Sequence, residues 1–441
     1  MNRTILTILL TCGAALGASA AEPLRVDAAG AVEIALKNSE QLKMADNAVK
    51  QARLNRGVAR TAWLPNFSGS ATTGWMLPDT KFDEMAMSMR MRGVYMAGIS
   101  LTQPVFAGGK IVAANRLASI GAEAAAQQRR QTEIAVRADA ETGYWTCVAI
   151  NARREMMGAY MALVDTALVQ TRRAVEAGMA TRNDLLQIEA RRAQVVYQQG
   201  QVDAGADLCL QALRNSLGLP LDTPLEIIDT EVPADIPADL DNYDLANRPE
   251  MKLLQADVDS KIQQVRMTRG DFLPTLGLQA GWSAYGNMKM NSMVQGPDGN
   301  YYPMEQNIKN NGFSVMLSLQ LPLFHWGEGY KKVKAAKLDV ENARLSMQQN
   351  ARQLDLQVRR AITNVRTGAD LLRSAEAACA RAEAALTSVS ESYRYGLATI
   401  TALLDAQSQW HTARADLIEA RTQLRINLID YRAATATATD F

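Results

Sequence analysis

Leu101-Thr-Gln-Pro-Val-Phe-Ala-Gly-Gly-Lys-Ile-Val-Ala-Ala-Asn-Arg-Leu-Ala118 is one of two similar stretches that decide the fold of this 441-residue chain. The second is Leu319-Gln-Leu-Pro-Leu-Phe-His-Trp-Gly-Glu-Gly-Tyr-Lys-Lys-Val-Lys-Ala-Ala336. In each, an alternating apolar run reaches a proline, a phenylalanine follows two residues later, and a long helical pattern begins after a glycine. Proline cannot donate a ladder hydrogen bond and glycine permits sharp backbone corners. Each stretch therefore predicts the point where a β-strand ends and a long helix begins.

The residues of this strand-to-helix corner recur at a fixed distance in the sequence. They are Pro104, Phe106 and Gly109 in the first copy and Pro322, Phe324 and Gly327 in the second. Two more features recur: a Leu-Pro pair before a strand, at 64–65 and 273–274, and a glycine corner between helices, at Gly178 and Gly396. A repeat of this length predicts an internally duplicated fold.

Hydrophobic periodicity predicts the same series of elements in both halves. The first repeat, 22–220, is predicted to contain a helix at 28–62, a β-hairpin at about 66–105, a long helix at 109–177 and a helix at 181–217. After a linker at 221–242, the second repeat, 243–435, is predicted to contain a helix at 243–271, a hairpin at about 275–323, a long helix at 328–395 and a helix at 400–431. Within the second hairpin, 285–311 is polar and predicts a long loop. Residues 436–441 are predicted to be a loose tail.

The N-terminal segment and the cysteines predict the compartment. Residues 1–21 have a basic start, an apolar stretch and a small-residue cleavage site, which predicts a signal peptide and export. Lipidation at Cys12 is an alternative. Cleavage leaves Cys147, Cys209 and Cys379, an odd number of mid-helix positions that favours buried thiols over disulfides.

The composition excludes several functions. A net charge of +1 gives no basis for binding nucleic acid. The two histidines lack metal-ligand spacing, and Ala107-Gly-Gly-Lys110 lacks the residues of a phosphate-binding loop. We therefore expect no enzyme activity, no cofactor and no resident metal. Methionines are dense at 85–91 and 288–293, which leaves copper or silver export as an alternative to lipid-facing methionine.

The number of predicted strands in each chain indicates the architecture. No mature segment has about 18 consecutive apolar residues, so a membrane span has to be made of strands. Each chain supplies four long strands, too few to close a barrel. Two chains would form an eight-stranded barrel filled by side chains, whereas three would form a twelve-stranded barrel with a lumen. The alternating strands predict an apolar face toward outer-membrane lipid and a polar inner face.

These features together resemble the TolC-type outer-membrane efflux proteins. The shared residues are the duplicated Pro-x-Phe-x-x-Gly corner, the Leu-Pro pairs, the Gly-x-x-Thr helical corners and Asn247-Arg-Pro-Glu250. The resemblance implies an α+β membrane protein: a homotrimer with a twelve-stranded transmembrane β-barrel continued by a long α-helical barrel across the periplasm. It also implies docking to a periplasmic adaptor and an inner-membrane pump, as the passive exit duct of a tripartite efflux or type I secretion system.

The resemblance further implies a gate where the helices turn at the periplasmic tips. By position Asp184, Tyr393 and Asp405 match the gate residues of the family, and Arg182 is a candidate cation. Ala398 and Ala402 stand where the family has an arginine and an aspartate, so Arg182, Arg172 or Arg394 has to replace the missing cation. Asp184 could instead serve only as a helix cap.

Two other classes of protein remain as alternatives. A trimeric barrel-anchored adhesin or helical scaffold would need the same corners but no open lumen. A periplasmic adaptor also has a helical hairpin, but the alternation at 313–321 disfavours it. Neither the transported substrate nor the pump follows from the sequence.

Overall fold

The computed structural model describes residues 23–82, 87–237 and 239–436. The predicted signal peptide, Cys12, Met85 and the last five residues lie outside this range. The chain forms two compact units, one from segments Met1–Lys43, Thr132–Asp244 and Leu354–Phe441, the other from Met44–Gln131 and Leu245–Gln353. We call them the helical unit and the strand unit. Two long helices pass from one unit to the other.

The described elements follow one another in a simple order. They are β1 (Leu24–Val26), α1 (Ala28–Asn38), α2 (Glu40–Thr61), β2 (Asn66–Trp75), β3 (Thr80–Phe82), β4 (Met87–Arg90), β5 (Arg92–Ala107), α3 (Lys110–Glu176), α4 (Arg182–Ser216), β6 (Leu225–Ile227), a 3-10 turn (Leu245–Asn247), α5 (Pro249–Gly270), β7 (Thr275–Gln295), β8 (Tyr301–Gln320), α6 (Glu328–Arg394) and α7 (Ile400–Thr435). None of the described helices combines the length and the apolar character needed to cross a membrane.

The strand unit is built around four long antiparallel strands in the order β2-β5-β7-β8. The short strands β4 and β3 extend the sheet beside the outer part of β7. The sequence predicts that the strand of the first strand-to-helix corner ends at Pro104. This prediction is wrong, because that strand, β5, continues to Ala107. Pro104 still faces Gly277, and a register shift between Pro104 and Phe106 accommodates it. A bulge lets the strand tolerate a residue that cannot donate.

The predicted long loop over 285–311 is also wrong, since β7 and β8 continue to a turn at 296–300. Polar residues stay in this hairpin because their backbones pair across it, from Met288↔Ile308 to Gln295↔Tyr301. The Lys289 ammonium lies 2.8 Å from the Glu305 carboxylate across the same two strands. The polarity of residues 285–311 indicated a loop, whereas pairing between β7 and β8 makes most of the segment a β-hairpin.

The helical unit is held by a core in which α1, α3, α4 and α7 meet. Its largest buried side chains include Tyr144, Leu213 and Leu217. The Tyr144 hydroxyl donates to the Asp229 carboxylate at 2.7 Å, and burial raises the pKa of Tyr144. Two observations correct the prediction here. The predicted helix at 28–62 breaks at Ser39, whose hydroxyl caps α2, and the predicted linker contains β6, paired in parallel with β1.

The cysteine prediction is wrong as well. Cys147 of α3 and Cys209 of α4 form a disulfide, with their Cα atoms 5.7 Å apart. Only Cys379 is free among the described cysteines, and it is buried. The sequence separation of 62 residues conceals this contact because α3 and α4 pack side by side in the helical unit. The odd count of cysteines therefore reflected one pair and one buried thiol.

A buried carboxylate joins the two halves of the chain within the helical unit. Glu141 of α3 forms ion pairs with Arg425 and Arg432 of α7 and accepts a hydrogen bond from the Trp145 indole. The Glu141 side chain is 4% exposed, and Arg425 lies over the Trp145 ring. Burying a charge is tolerated only when it is paired, so this cluster constrains where α7 packs on α3.

We predict that Glu141→Ala strongly destabilises the helical unit. The substitution leaves the Arg425 guanidinium buried without its carboxylate, which costs about 3–5 kcal/mol. The matched control is Asp370→Ala, which removes an exposed ion pair with Arg373 and costs about 0–1 kcal/mol. The apparent melting temperature of the detergent-purified protein measures both. Equal melting temperatures for the two variants would contradict the structural role of Glu141.

Candidate functional site at the two helical corners

The two helical corners, residues 174–184 and 392–402, have the same backbone geometry. Gly178 and Gly396 adopt φ values of +73° and +74°, which side chains with a Cβ rarely adopt. At the first corner the Met179 amide donates to the Ala174 carbonyl at 2.8 Å. At the second, Leu397 donates to Ser392 at the same distance. These bonds satisfy the last carbonyls of α3 and α6 and end both helices in a Schellman motif.

The helix that leaves each corner begins with a threonine cap, but the two caps differ. The Asp184 amide donates to the Thr181 hydroxyl at 3.2 Å, and the Asp184 carboxylate accepts from the Thr181 amide at 2.8 Å. This reciprocal arrangement is a capping box. At the second corner the Ala402 amide donates to the Thr399 hydroxyl at 3.2 Å, and no carboxylate returns the bond. The Asp184 carboxylate thus acts as a cap.

Tyr393 forms a hydrogen bond that joins α6 to α3 near the corners. Its hydroxyl lies 2.8 Å from the hydroxyl of Thr171, which is fully buried in α3. The Thr171 hydroxyl already donates its proton to the Ala167 carbonyl at 2.8 Å. Because a threonine hydroxyl has one proton, Tyr393 is the donor of the shared bond. Sequence reasoning missed Thr171, since nothing in the pattern relates residues 222 positions apart.

The remaining predicted gate residues do not join this bond. Asp405 and Arg182 are both exposed, and no side-chain hydrogen bond or ion pair connects either to another residue in the described parts of the chain. Arg172 lies 3.5 Å from Glu189 within the first helical pair. Arg394 stacks over the neighbouring Tyr395 ring. The structure therefore brings Tyr393 to Thr171, and it leaves Asp405 and Arg182 facing solvent.

A second core beneath the corners holds the helices that carry them. It contains Tyr160 of α3, Ile188 of α4 and Leu403 of α7. His411 stacks on the Tyr160 ring, with the ring centroids 4.7 Å apart, and burial lowers the pKa of His411. Burial also raises the pKa of Tyr160. This core fixes the helices on which Tyr393 and Thr171 meet.

In the strand unit, the first strand-to-helix corner is tightly packed. Gly108 and Gly109 have positive φ values, and α3 begins at the next residue. A Cβ at Gly108 would collide with the backbone of Gly270 at the end of α5. The Lys110 ammonium lies 3.1 Å from the Asp271 carboxylate in the same region. Glycine is required here because two chain segments approach each other closely.

The second strand-to-helix corner packs through side chains: the His325 and Phe272 rings lie edge to face at 6.0 Å, and a Cβ at Gly329 would collide with the Phe272 ring. Pro322 and Phe324 follow the end of β8, and Gly327 precedes α6 with a φ of +74°. Phe324 and Trp326 contact edge to face at 4.9 Å, and both are largely exposed. Trp326 itself has a φ of +48°, which is unusual for a residue with a Cβ. The two corners thus share a proline, a phenylalanine and a glycine but differ in packing.

The described residues contain no group of three histidine, cysteine or acidic side chains that could hold a metal ion. The methionines of the two dense segments do meet, since Met89 lies opposite Met290 between β4 and β7. Metal export therefore stays an alternative to lipid-facing methionine.

Comparisons with known proteins agree with these features. The sequence profile of the family described as "Outer membrane efflux protein" matches residues 31–219 and 243–437. The outer membrane protein TolC of Escherichia coli is 26% identical over 194 residues, which cover 44% of this chain and 39% of that protein. The chain thus spans well under two thirds of TolC in this alignment. The alkaline protease secretion protein AprF of Pseudomonas aeruginosa is 26% identical over 407 residues, covering 88% of the chain and 80% of the relative.

A solved structure has the same fold. The outer membrane protein VceC of Vibrio cholerae superimposes with a TM-score of 0.75 at 18% identity, covering 92% of this chain and 95% of that one.

We predict that Asp184→Ala loosens the first corner without unfolding the protein. Loss of one half of the capping box costs about 1 kcal/mol. Ala402→Asp should do the opposite, because it completes the box at Thr399 in the second corner. Hydrogen exchange of the amides in the first turns of α4 and α7 measures both changes. Unaltered exchange in both variants would show that neither carboxylate caps its helix.

Proposed function

The chain belongs to the outer membrane efflux protein family, and we propose that three copies of it form one channel for efflux or secretion. The protein lies in the outer membrane, with its helical part in the periplasm. The proposal rests on the two unpaired edges of the four-stranded sheet. β2 and β8 are long edge strands, and neither has a second partner among the described strands.

Unpaired edges of this length cannot remain in hydrocarbon. Each backbone amide and carbonyl left without a hydrogen bond in lipid costs several kcal/mol. Since β2 and β8 lie at opposite edges of the four-stranded sheet, β8 of one copy can pair with β2 of the next around a closed ring. Three copies bring twelve strands, which are enough to leave a lumen.

The register across the four strands supports a lumen. Two successive rungs of paired residues differ in character: Gly69, Ile99, Trp282, Phe313 form one, and Ser68, Ser100, Gly281, Ser314 form the next. Adjacent rungs point to opposite faces of a sheet. One face is therefore apolar and suits lipid, whereas the other is polar and small and suits water. A solid scaffold would not need the polar face, which disfavours the adhesin-like alternative.

The spacing of the elements supports an internal duplication. α5 begins 209 residues after α2, and β7 begins 209 residues after β2. Beyond the hairpins the offset becomes 218, since α6 spans Glu328–Arg394 against Lys110–Glu176 for α3. The difference of nine residues therefore lies in the hairpins, where a longer second hairpin is tolerated because it ends in a turn. We propose that the two halves are copies of one ancestral unit.

The partners follow from the same proposal. Relatives of this chain are named for protease secretion and for antibiotic efflux. A channel without an energy source needs a pump, so we propose docking of the helical tips to a periplasmic adaptor and through it to an inner-membrane pump. The helices of three copies then form the helical barrel that carries substrate through the periplasm as a passive duct.

We predict that the mature protein purified in neutral detergent is a trimer. Light scattering with correction for bound detergent should give a protein mass about three times that of one chain. Planar-bilayer recordings of the same sample should show open-lumen conductance. A stable monomer or dimer would contradict strand closure and would favour the scaffold.

We further propose that the helical corners form the gate of this channel. Tyr393 holds α6 against α3 through its bond to Thr171. Asp184 and Arg182 lie in the first turn of α4, and Asp405 lies in the second turn of α7. Ala398 and Ala402 stand where the family has an arginine and an aspartate of the gate. Closure of the gate in this chain therefore depends more on the Tyr393 hydrogen bond. Exposed Asp405 and Arg182 can pair with a neighbouring copy.

We predict that Tyr393→Phe raises the conductance of the closed channel. The variant loses only the hydroxyl, and Thr171 keeps its bond to Ala167, so the helices stay folded while one link between them is lost. Tyr197→Phe, at an exposed tyrosine of α4, is the matched control. Asp405→Ala should also raise conductance if an inter-copy ion pair closes the tips. Unchanged conductance in both Tyr393→Phe and Asp405→Ala would refute the gate.

A further inference from the structure

Four lysines lie in the first three turns of α6: Lys331, Lys332, Lys334 and Lys337. All four are exposed. Lys332 forms an ion pair with Glu328 at 2.6 Å. No ion pair joins Lys331, Lys334 or Lys337 to any residue that the structure describes. We call 323–337 the α6 foot.

The helix itself does not favour lysine at these positions. The N-terminal end of an α-helix carries a partial positive charge that acts within the first turn, so a cation such as Lys331 is disfavoured there. Two exposed arginines of the strand unit do fit the helix dipole, since Arg60 and Arg269 lie in the last turns of α2 and α5. The helix dipole therefore favours those two arginines, disfavours Lys331 and has little effect on Lys334 and Lys337. A negatively charged partner outside the chain would explain these lysines.

The aromatic residues of the foot indicate where this partner is. Leu323, Phe324, Trp326 and Tyr330 are 88%, 69%, 86% and 74% exposed. They follow within ten residues of Gln320, where β8 ends. Tryptophan and tyrosine are enriched at the level of lipid headgroups, where the ring is partly in the apolar layer and partly in water.

The helical spacing connects the aromatic residues with the lysines. Tyr330, Lys334 and Lys337 are separated by four and three residues, so they share one face of α6. Along this face the chain passes from an aromatic ring to two ammonium groups within about 11 Å. This order matches a bilayer surface, in which the phosphate groups lie just outside the apolar layer.

We propose that the α6 foot binds the phosphate headgroups of anionic phospholipid, such as phosphatidylglycerol, in the periplasmic leaflet of the outer membrane. This inference rests on the proposed membrane-spanning role of β7 and β8. Each lysine near an anionic surface adds attraction that salt screens. Trp326 and Tyr330 set the depth of the foot, and Lys331, Lys334 and Lys337 select the charge of the lipid.

The test compares the lipid preference of variants that all have the same oligomeric state. Delipidated protein in neutral detergent is titrated with brominated phosphatidylglycerol or brominated phosphatidylcholine, and quenching of tryptophan fluorescence measures binding. Trp326→Phe identifies the part of the signal that arises at the foot. The variant is the triple substitution Lys331→Gln, Lys334→Gln and Lys337→Gln. The control is Arg352→Gln, Arg360→Gln and Arg381→Gln, which removes the same charge from exposed positions further along α6.

We expect the wild type and the control to prefer phosphatidylglycerol, and we expect the triple variant to lose about tenfold or more of that preference. The wild-type preference should weaken at high salt. Light scattering of each sample separates this result from the channel proposal, because a trimer without lipid preference refutes the inference alone. A triple variant that keeps its lipid preference but changes the ion selectivity of the channel would also overturn it, since the lysines would then face the lumen.

Discussion

The backbone hydrogen bonds of a four-stranded sheet are the constraint on which the rest of this protein depends. A sheet in hydrocarbon cannot leave an edge unpaired, and β2 and β8 are both edges. We propose closure by further copies for that reason, and the alternation of apolar and small polar rungs suits a sheet with lipid on one face and water on the other. The bulges beside Pro104 and near Tyr285 also serve backbone pairing. They let the hydrogen bonds between neighbouring strands continue past residues that disturb the regular pattern.

Charge has two different uses in the helices. Glu141 is buried, and its two arginines and the Trp145 indole satisfy it, so it constrains how distant parts of the sequence pack. The lysines of the α6 foot are exposed, and three of them have no ion pair among the described residues. A buried charge without a partner would be costly, whereas an exposed one is free to meet a ligand. The first arrangement therefore stabilises the fold, and the second is available for binding.

Much of the fold followed from local patterns. Leu-Pro before each first strand, the glycines at both kinds of corner and the apolar periodicity of the long helices are properties of short segments. Predictions failed where a contact between distant segments decided the outcome. Polar residues of 285–311 form strands because β7 and β8 pair, and Cys147 bonds Cys209 because α3 packs on α4. Composition and cysteine count describe neither contact.

The candidate site shows the same division. The sequence by itself determined the two helical corners, since glycine at a positive φ and a threonine cap are local requirements. For Asp184 it left two roles open, a gate residue and a helix cap. It also determined the strand-to-helix corners and the excess of lysine that follows the second one. Only the tertiary structure decided that Tyr393 donates to buried Thr171 and that Asp405 and Arg182 remain exposed. The physical reason is that a hydrogen bond between residues 222 positions apart depends on how whole helices pack, and no local pattern encodes that distance.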